Sequence, residues 1–115
     1  MKVHDLAFVD IEASGLNPRE HEILEIAVVR VKQNWTEGEQ PSFTLVDEWS
    51  TKIRPVHIAT ADPASLKVNG YTVTGWEHSI SVCDALMEFA KRTEGAIMVA
   101  HNVAFDSGFI DAHLT

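Results

Sequence analysis

Cysteine occurs once in this 115-residue chain, so no internal disulfide can form, and no His/Cys cluster with zinc-ligand spacing accompanies Cys83. A reducing, cytoplasmic setting is the expectation, with Cys83 itself read as a helix core residue. Long apolar runs are lacking too. No stretch approaches the ~18 residues that a membrane span requires. The opening Met1-Lys2-Val3-His4-Asp5 carries one lysine before a short apolar run, which fits neither a signal peptide nor an anchor. Basic residues are few: nine Lys and Arg stand against seventeen Asp and Glu, for a net charge of −8, and Lys32, Lys52, Arg54, Lys67, Lys91 and Arg92 are scattered. Phosphate contacts need clustered cations, which argues against gripping nucleic acid by bulk charge. An acidic protein can still handle phosphates where its carboxylates hold divalent cations that invert the local field.

What is present is apolar material, 45% of the chain, sufficient for one small core in one domain. Leu6-Ala7-Phe8-Val9 is an unbroken apolar run ended by charge and then by Gly15 and Pro18, the profile of a central strand buried on both faces. Residues 23–32 fill both parities with apolar side chains and read as a second strand. Asn34 to Pro41 is polar, with Gly38 and Pro41, and fits a hairpin turn. Phe43, Leu45, Trp49, Thr51 and Ile53 alternate with a break at Asp47, as expected of an edge strand. Asp62 before Pro63 starts a short helix that Asn69-Gly70 would stop. Ser81 and Asp84 resemble a capping box, and Val82, Ala85, Leu86, Phe89 and Ala90 keep helical spacing until Gly95. Ala96 to Ala100 reads as another buried strand and Phe105 to Leu114 as a final helix. The order predicts an α/β domain.

Asp10 and Glu12 lie where the first strand meets its loop, and residues two apart on a strand project from one face about 6–7 Å apart. Ile11 points the other way. Two carboxylates that close repel unless a cation separates them, and Mg²⁺ or Mn²⁺ prefer such hard oxygen ligands. A D-x-E pair at a strand end is by itself more readily explained by solvation. The second cluster, His101-Asn102-Val103-Ala104-Phe105-Asp106, also follows a strand, although Asp106 alone fits a helix N-terminal acid. In α/β sheets functional groups gather at the carboxyl ends of adjacent parallel strands, and both clusters occupy such ends. An acid/base pair of the glycosidase kind accounts for the D-x-E but not for residues 101–106.

Phe8-Val9-Asp10-Ile11-Glu12-Ala13-Ser14-Gly15-Leu16-Asn17-Pro18 resembles the first exonuclease motif of the DnaQ-like (DEDD) 3′-5′ exonuclease family, and residues 101–106 resemble its second, H-N-x-x-F-D. Glu22 to Ala27 is similar to the family's second strand, and Ala64 to Thr72 to its short helix and turn. The resemblance implies a ribonuclease H-like mixed sheet flanked by helices. It also implies two divalent ions, Mg²⁺ or Mn²⁺, held by Asp10, Glu12 and Asp106. The Ala13, Ser14, Gly15 and Leu16 loop, with His101, Asn102 and Phe105, would bind substrate, Leu16 and Phe105 acting as apolar wedges; core packing is an equal reading for Phe105.

The activity implied is DNA polymerase III epsilon-like: hydrolysis of the terminal phosphodiester at the 3′ end of single-stranded DNA or RNA, in replication or repair, with a polymerase subunit as candidate partner. A non-catalytic nucleic-acid or protein interaction module on the same fold is the alternative. The family's third motif, which brings a fourth acid and in one branch a histidine base, has no match. Asp111 and His113 come too early and read as surface groups; His4, His21, His57 and His78 have no motif context. The expectation is the N-terminal portion of a single exonuclease domain, inactive alone, whose last strand exposes an edge or an apolar face.

Overall fold

The computed structural model describes residues 3–114; Met1, Lys2 and Thr115, and the side chains of Val103, Ala104 and Leu114, lie outside the described residues. The elements, in chain order, are β1 (Leu6–Ala13), β2 (Ile23–Asn34), β3 (Ser42–Lys52), α1 (Pro63–Asn69), α2 (Val82–Thr93), β4 (Ile97–Val99) and α3 (Val103–Leu114), with a 3-10 turn at Ile58–Thr60. The described strands form one sheet in the order β3-β2-β1-β4. β1 and β2 are antiparallel, as are β2 and β3, while β4 runs parallel to β1. A mixed sheet flanked by helices is the expected ribonuclease H-like architecture.

One face of this sheet is covered and the other largely is not. Ala7, Val9, Ile11 and Ala13 of β1 share the covered face with Ile26 and Val28, and Ala85, Leu86 and Phe89 of α2 and Phe109 and Ile110 of α3 join them in a single buried cluster. Removal of that apolar surface from water is the main term holding the domain together. The opposite face carries Phe8, Val29, Leu45 and Ile97, which remain 44%, 38%, 58% and 49% exposed. β1 and β4 are therefore not buried on both sides, as their continuous apolar runs had implied; β4 is an edge strand with a half-exposed face. An apolar run specifies a strand, but what lies over each face is decided by distant elements.

Two irregularities bend the sheet. In β3 the pairing passes from Arg30↔Asp47 to Val31↔Leu45, leaving Val46 as the extra residue and accounting for the break in alternation at Asp47. In β2 Glu12↔Glu25 is followed by Ala13↔Ile23, so Leu24 is extra; its buried carbonyl accepts hydrogen bonds from the Ile53 amide at 2.8 Å and from Trp76 Nε1 at 2.9 Å.

Capping chemistry sets the helix limits. The Asp62 carboxylate accepts from the Ala64 amide at 3.1 Å, Pro63 opens α1, and Gly70 closes it in the left-handed region at φ 70°. Ser81 caps α2 by accepting from the Asp84 amide at 3.1 Å. Along α2 the buried positions are Ala85, Leu86 and Phe89, whereas Ala90 and Cys83 are exposed. Cys83 is thus not a core residue: it lies off the stripe that faces the sheet. Arg92, near the end of α2, donates to both Asp47 oxygens at 3.0 and 2.9 Å and to Glu88 at 2.8 Å, fastening the helix to β3.

Candidate active site

Alternation along β1 puts Asp10 and Glu12 on the uncovered face, with Ile11 between them buried at 6% exposure. β4 lies beside β1 in parallel, with Phe8 level with Val99, so the chain leaving β4 enters His101 and Asn102 next to the carboxyl end of β1. Asn102 Oδ1 accepts from the Phe105 amide at 3.1 Å and starts α3, which places Asp106 in its first turn. Asp106 is only 6% exposed, while Asp10 is exposed and Glu12 half-buried. His101 and Asn102 are exposed beside them.

These carboxylates feel one another. Burial first, then the charges of Asp10, Glu25 and Asp106, raise the Glu12 pKa above the ordinary carboxylate range. Asp106 is raised by burial and by Asp10, with His101 pulling the other way. Glu25 is an unforeseen member of the group: it sits directly opposite Glu12 across the β1–β2 pair, an unfavourable like-charge placement. A divalent cation would relieve this repulsion, and the donors are hard oxygens of the kind Mg²⁺ and Mn²⁺ take. Among the described residues no three His, Cys, Asp or Glu side chains are gathered into a ready-made metal cage. The donor chemistry fits a cation; the ligand shell is not closed around one.

A pH dependence follows. Glu12 and Asp106 bind their protons more tightly in the folded than in the unfolded chain, so their contribution favours folding at low pH. It is lost as pH rises from the ordinary carboxylate value near 4 through the raised values. Cations bound by the ionised groups should reverse that loss. Melting temperatures with Mn²⁺ should rise at a pH of about 7.5 and change little near pH 4, where the carboxyls are protonated; equal increments at both would locate any bound metal elsewhere.

Next to Glu12 a cleft of about 270 Å³ is lined by Ile11, Glu12, Ala13, Gly15, Leu16, Ala64, Ser65, Val68, Asn69 and Phe105. Its volume lies just below the usual range of ligand sites, roughly 300–1,000 Å³. Leu16 is 77% exposed at the rim, and Phe105, half-buried, packs on Phe109 with ring centres 4.9 Å apart. Phe105 thus combines both readings: it supports the core and forms a cleft wall.

The loop after β1 is held by Glu22 and His21, to which sequence reasoning assigned no role, and by Ser14, a substrate-binding candidate whose side chain is turned inward. Ser14 is buried, donates its amide to the Glu22 carbonyl at 2.9 Å and accepts from the Glu22 amide on Oγ at 3.0 Å. Glu22, 3% exposed, accepts on its carboxylate from the Val56 and His57 amides at 3.0 and 3.2 Å. His21 packs its ring on Gly15 and its Nδ1 accepts from the Asn17 amide at 3.1 Å. Gly15 followed six residues later by a histidine was the available signal, but nothing along the chain says that the turn folds back. Asp111 is exposed and His113 Nδ1 lies 2.8 Å from the Phe109 carbonyl, within α3 and away from the acid group.

A mixed sheet flanked by helices, with acids at the carboxyl ends of two adjacent parallel strands beside a small cleft, is a domain of the ribonuclease H-like class. The family model described as "Exonuclease" (RNase_T) matches residues 7–115, and the chain belongs to that family of DnaQ-like exonucleases. It is 35% identical over 108 residues to a PolC-type DNA polymerase III of Thermotoga maritima, covering 92% of this chain and 7% of that protein. With ribonuclease T of Pectobacterium atrosepticum the identity is 33% over 114 residues, 90% of this chain and 49% of the relative. The chain therefore spans about half the length of ribonuclease T and a small part of the polymerase. The zinc-bound complex of E. coli Exonuclease I with single-stranded DNA shares the fold, with a TM-score of 0.73 at 15% identity over 95% of this chain and 23% of that one. No helix among the described residues is long and apolar enough to cross a membrane.

Proposed function

We propose that the Asp10–Glu12–Asp106 site is that of a 3′-5′ exonuclease, hydrolysing the terminal phosphodiester of single-stranded nucleic acid with two divalent ions, Mg²⁺ or Mn²⁺. The observation that carries this reading is that Asp10, Glu12 and Asp106 act electrostatically on one another at the end of β1, where Glu12 also lines a cleft of about 270 Å³. Asp10, whose charge reaches both other acids, would help hold both ions, with Glu12 holding one and Asp106 the other. When bound, such ions would activate water and stabilise charge on the phosphoryl oxygens. Ala13, Gly15 and Leu16 line the cleft and would seat the last nucleotide, with Ser14 buried behind them holding the loop, Leu16 and Phe105 against the base or sugar, and His101 and Asn102 flanking the phosphate.

The uncovered acid-bearing face, together with the 49% span of ribonuclease T, supports reading residues 1–115 as the N-terminal portion of one exonuclease domain. Similarity to a polymerase supports a polymerase subunit as partner, and the single-stranded DNA bound by Exonuclease I supports a single-strand 3′ end as substrate. The open ligand shell favours the second reading, a non-catalytic interaction module on the same fold.

Mn²⁺ titration monitored by electron paramagnetic resonance, followed by incubation with 5′-labelled single-stranded DNA and RNA, separates the two. The exonuclease reading expects saturable Mn²⁺ binding and stepwise shortening from the 3′ end. Oligonucleotide binding without Mn²⁺ binding would establish the module instead.

A further inference from the structure

We propose that Asn69 is a positioning residue that sets the width of the nucleotide cleft; this inference rests on the exonuclease reading of that cleft. Two consecutive carbonyls at the end of β1 are tied to the two ends of α1. The Asp62 amide, at the N-terminus of α1, donates to the Ser14 carbonyl at 2.7 Å. The Asn69 side-chain amide, in the last residue of α1, donates to the Ala13 carbonyl, also at 2.7 Å. A seven-residue helix is about 10 Å long at 1.5 Å per residue, so two ties at its ends fix the direction of its axis as well as its location.

The two ties differ in kind. The first is made by backbone and survives any non-proline substitution, whereas the second exists only because residue 69 has a side-chain donor of that reach. Ala64, Ser65, Val68 and Asn69 present one face of α1 to the cleft, and across it stand Glu12 and Leu16. Val68 is 85% exposed there and packs too little to hold the helix by burial. Without the Asn69 tie, the C-terminal end of α1 would be held to the sheet only indirectly, through Tyr71 packed on Trp76, and the wall facing Leu16 would loosen. Gly70, in the left-handed conformation immediately afterwards, stops the helix so that no further turn braces it.

Donation is what the contact needs. Asp in place of Asn keeps the shape but sets a carboxylate oxygen against the Ala13 carbonyl oxygen and adds a negative charge near Glu12. Gln keeps the donor on a longer arm.

The test compares the intact chain with Asn69→Ala, Asn69→Asp and Asn69→Gln. It measures Mn²⁺ affinity, affinity for adenosine 5′-monophosphate and its 2′-deoxy analogue with Mn²⁺ present, and hydrogen exchange of the Gly15 and Leu16 amides. Expected are a monophosphate affinity lowered about tenfold in Asn69→Ala and more in Asn69→Asp, with partial recovery in Asn69→Gln. Mn²⁺ affinity of Asn69→Ala should stay within about twofold, and loop exchange should be faster in the Ala and Asp variants. A residue that only stabilised the fold would lower the melting temperature and leave monophosphate affinity unchanged at temperatures where the variants are folded; that result overturns the proposal. If the unaltered chain binds neither Mn²⁺ nor either monophosphate, the exonuclease reading falls and takes the cleft-width role with it. Unchanged exchange in all three variants disposes of the tie whatever the site binds.

Discussion

Asp10→Ala should lose Mn²⁺ binding and any 3′-shortening activity while leaving the metal-free protein at least as stable as before at neutral pH. Asp10 is the acid whose charge acts on both Glu12 and Asp106. Cation stabilisation of a phosphoryl transition state is a matter of several kcal/mol, and each 1.36 kcal/mol is tenfold in rate. A loss of about 10²-fold or more in activity is therefore expected, with Mn²⁺ affinity down at least about tenfold. The stability effect has the opposite sign. Removing Asp10 removes one cause that holds the Glu12 and Asp106 pKa values up, so less free energy is spent ionising them in the folded chain at pH 7. Thermal unfolding without metal, beside Mn²⁺ titration, checks both halves. A variant that is clearly less stable and yet still binds Mn²⁺ would show that Asp10 serves the fold rather than a metal.

Gly15→Ala should disable the loop that the terminal nucleotide is proposed to occupy. A Cβ at residue 15 would fall well inside contact distance of Nδ1, Cγ and Cε1 of His21, so the imidazole must move. Its hydrogen bond with the Asn17 amide, 3.1 Å, would go with it. Overpacking of this kind costs about 1–3 kcal/mol. In a domain of this size each kcal/mol lowers the melting temperature by roughly 4 °C or more. The decisive measurement is the double variant: Gly15→Ala with His21→Ala should regain much of the stability lost by Gly15→Ala, as side chains in contact couple by about 0.5–3 kcal/mol. Purely additive losses would mean that the clash is absorbed by the backbone.

Much of the frame was legible because its signals are local. Asp62-Pro63 and Asn69-Gly70 mark the ends of α1 through capping chemistry that acts within a turn, and Ser81 does the same for α2. Alternation placed Asp10 and Glu12 on one face and Ile11 on the other without knowledge of what either face meets. Cys83 was misplaced for the complementary reason. It lies one residue from Val82 and two from Ala85, and only the docking of α2 on the sheet decides which side of the helix is inside. The half-exposed Phe8 escaped prediction in the same way, since an apolar run does not record whether anything covers it. The last strand, by contrast, was expected to expose an edge or an apolar face, and β4, with Ile97, does.

The sequence by itself determined the order of strands and helices, the pairing of Asp10 with Glu12 and the position of Asp106 at the start of a helix, all of which follow from backbone periodicity and capping over a few residues. The tertiary structure alone decided the rest: that Glu25 faces Glu12 across a strand pair, that His21 closes on Gly15, that buried Glu22 braces the Ser14 loop, and that Asn69 reaches back 56 residues to Ala13. Those contacts join segments whose approach is fixed by burial of the whole core, a property of the assembled sheet and helices that no local pattern carries.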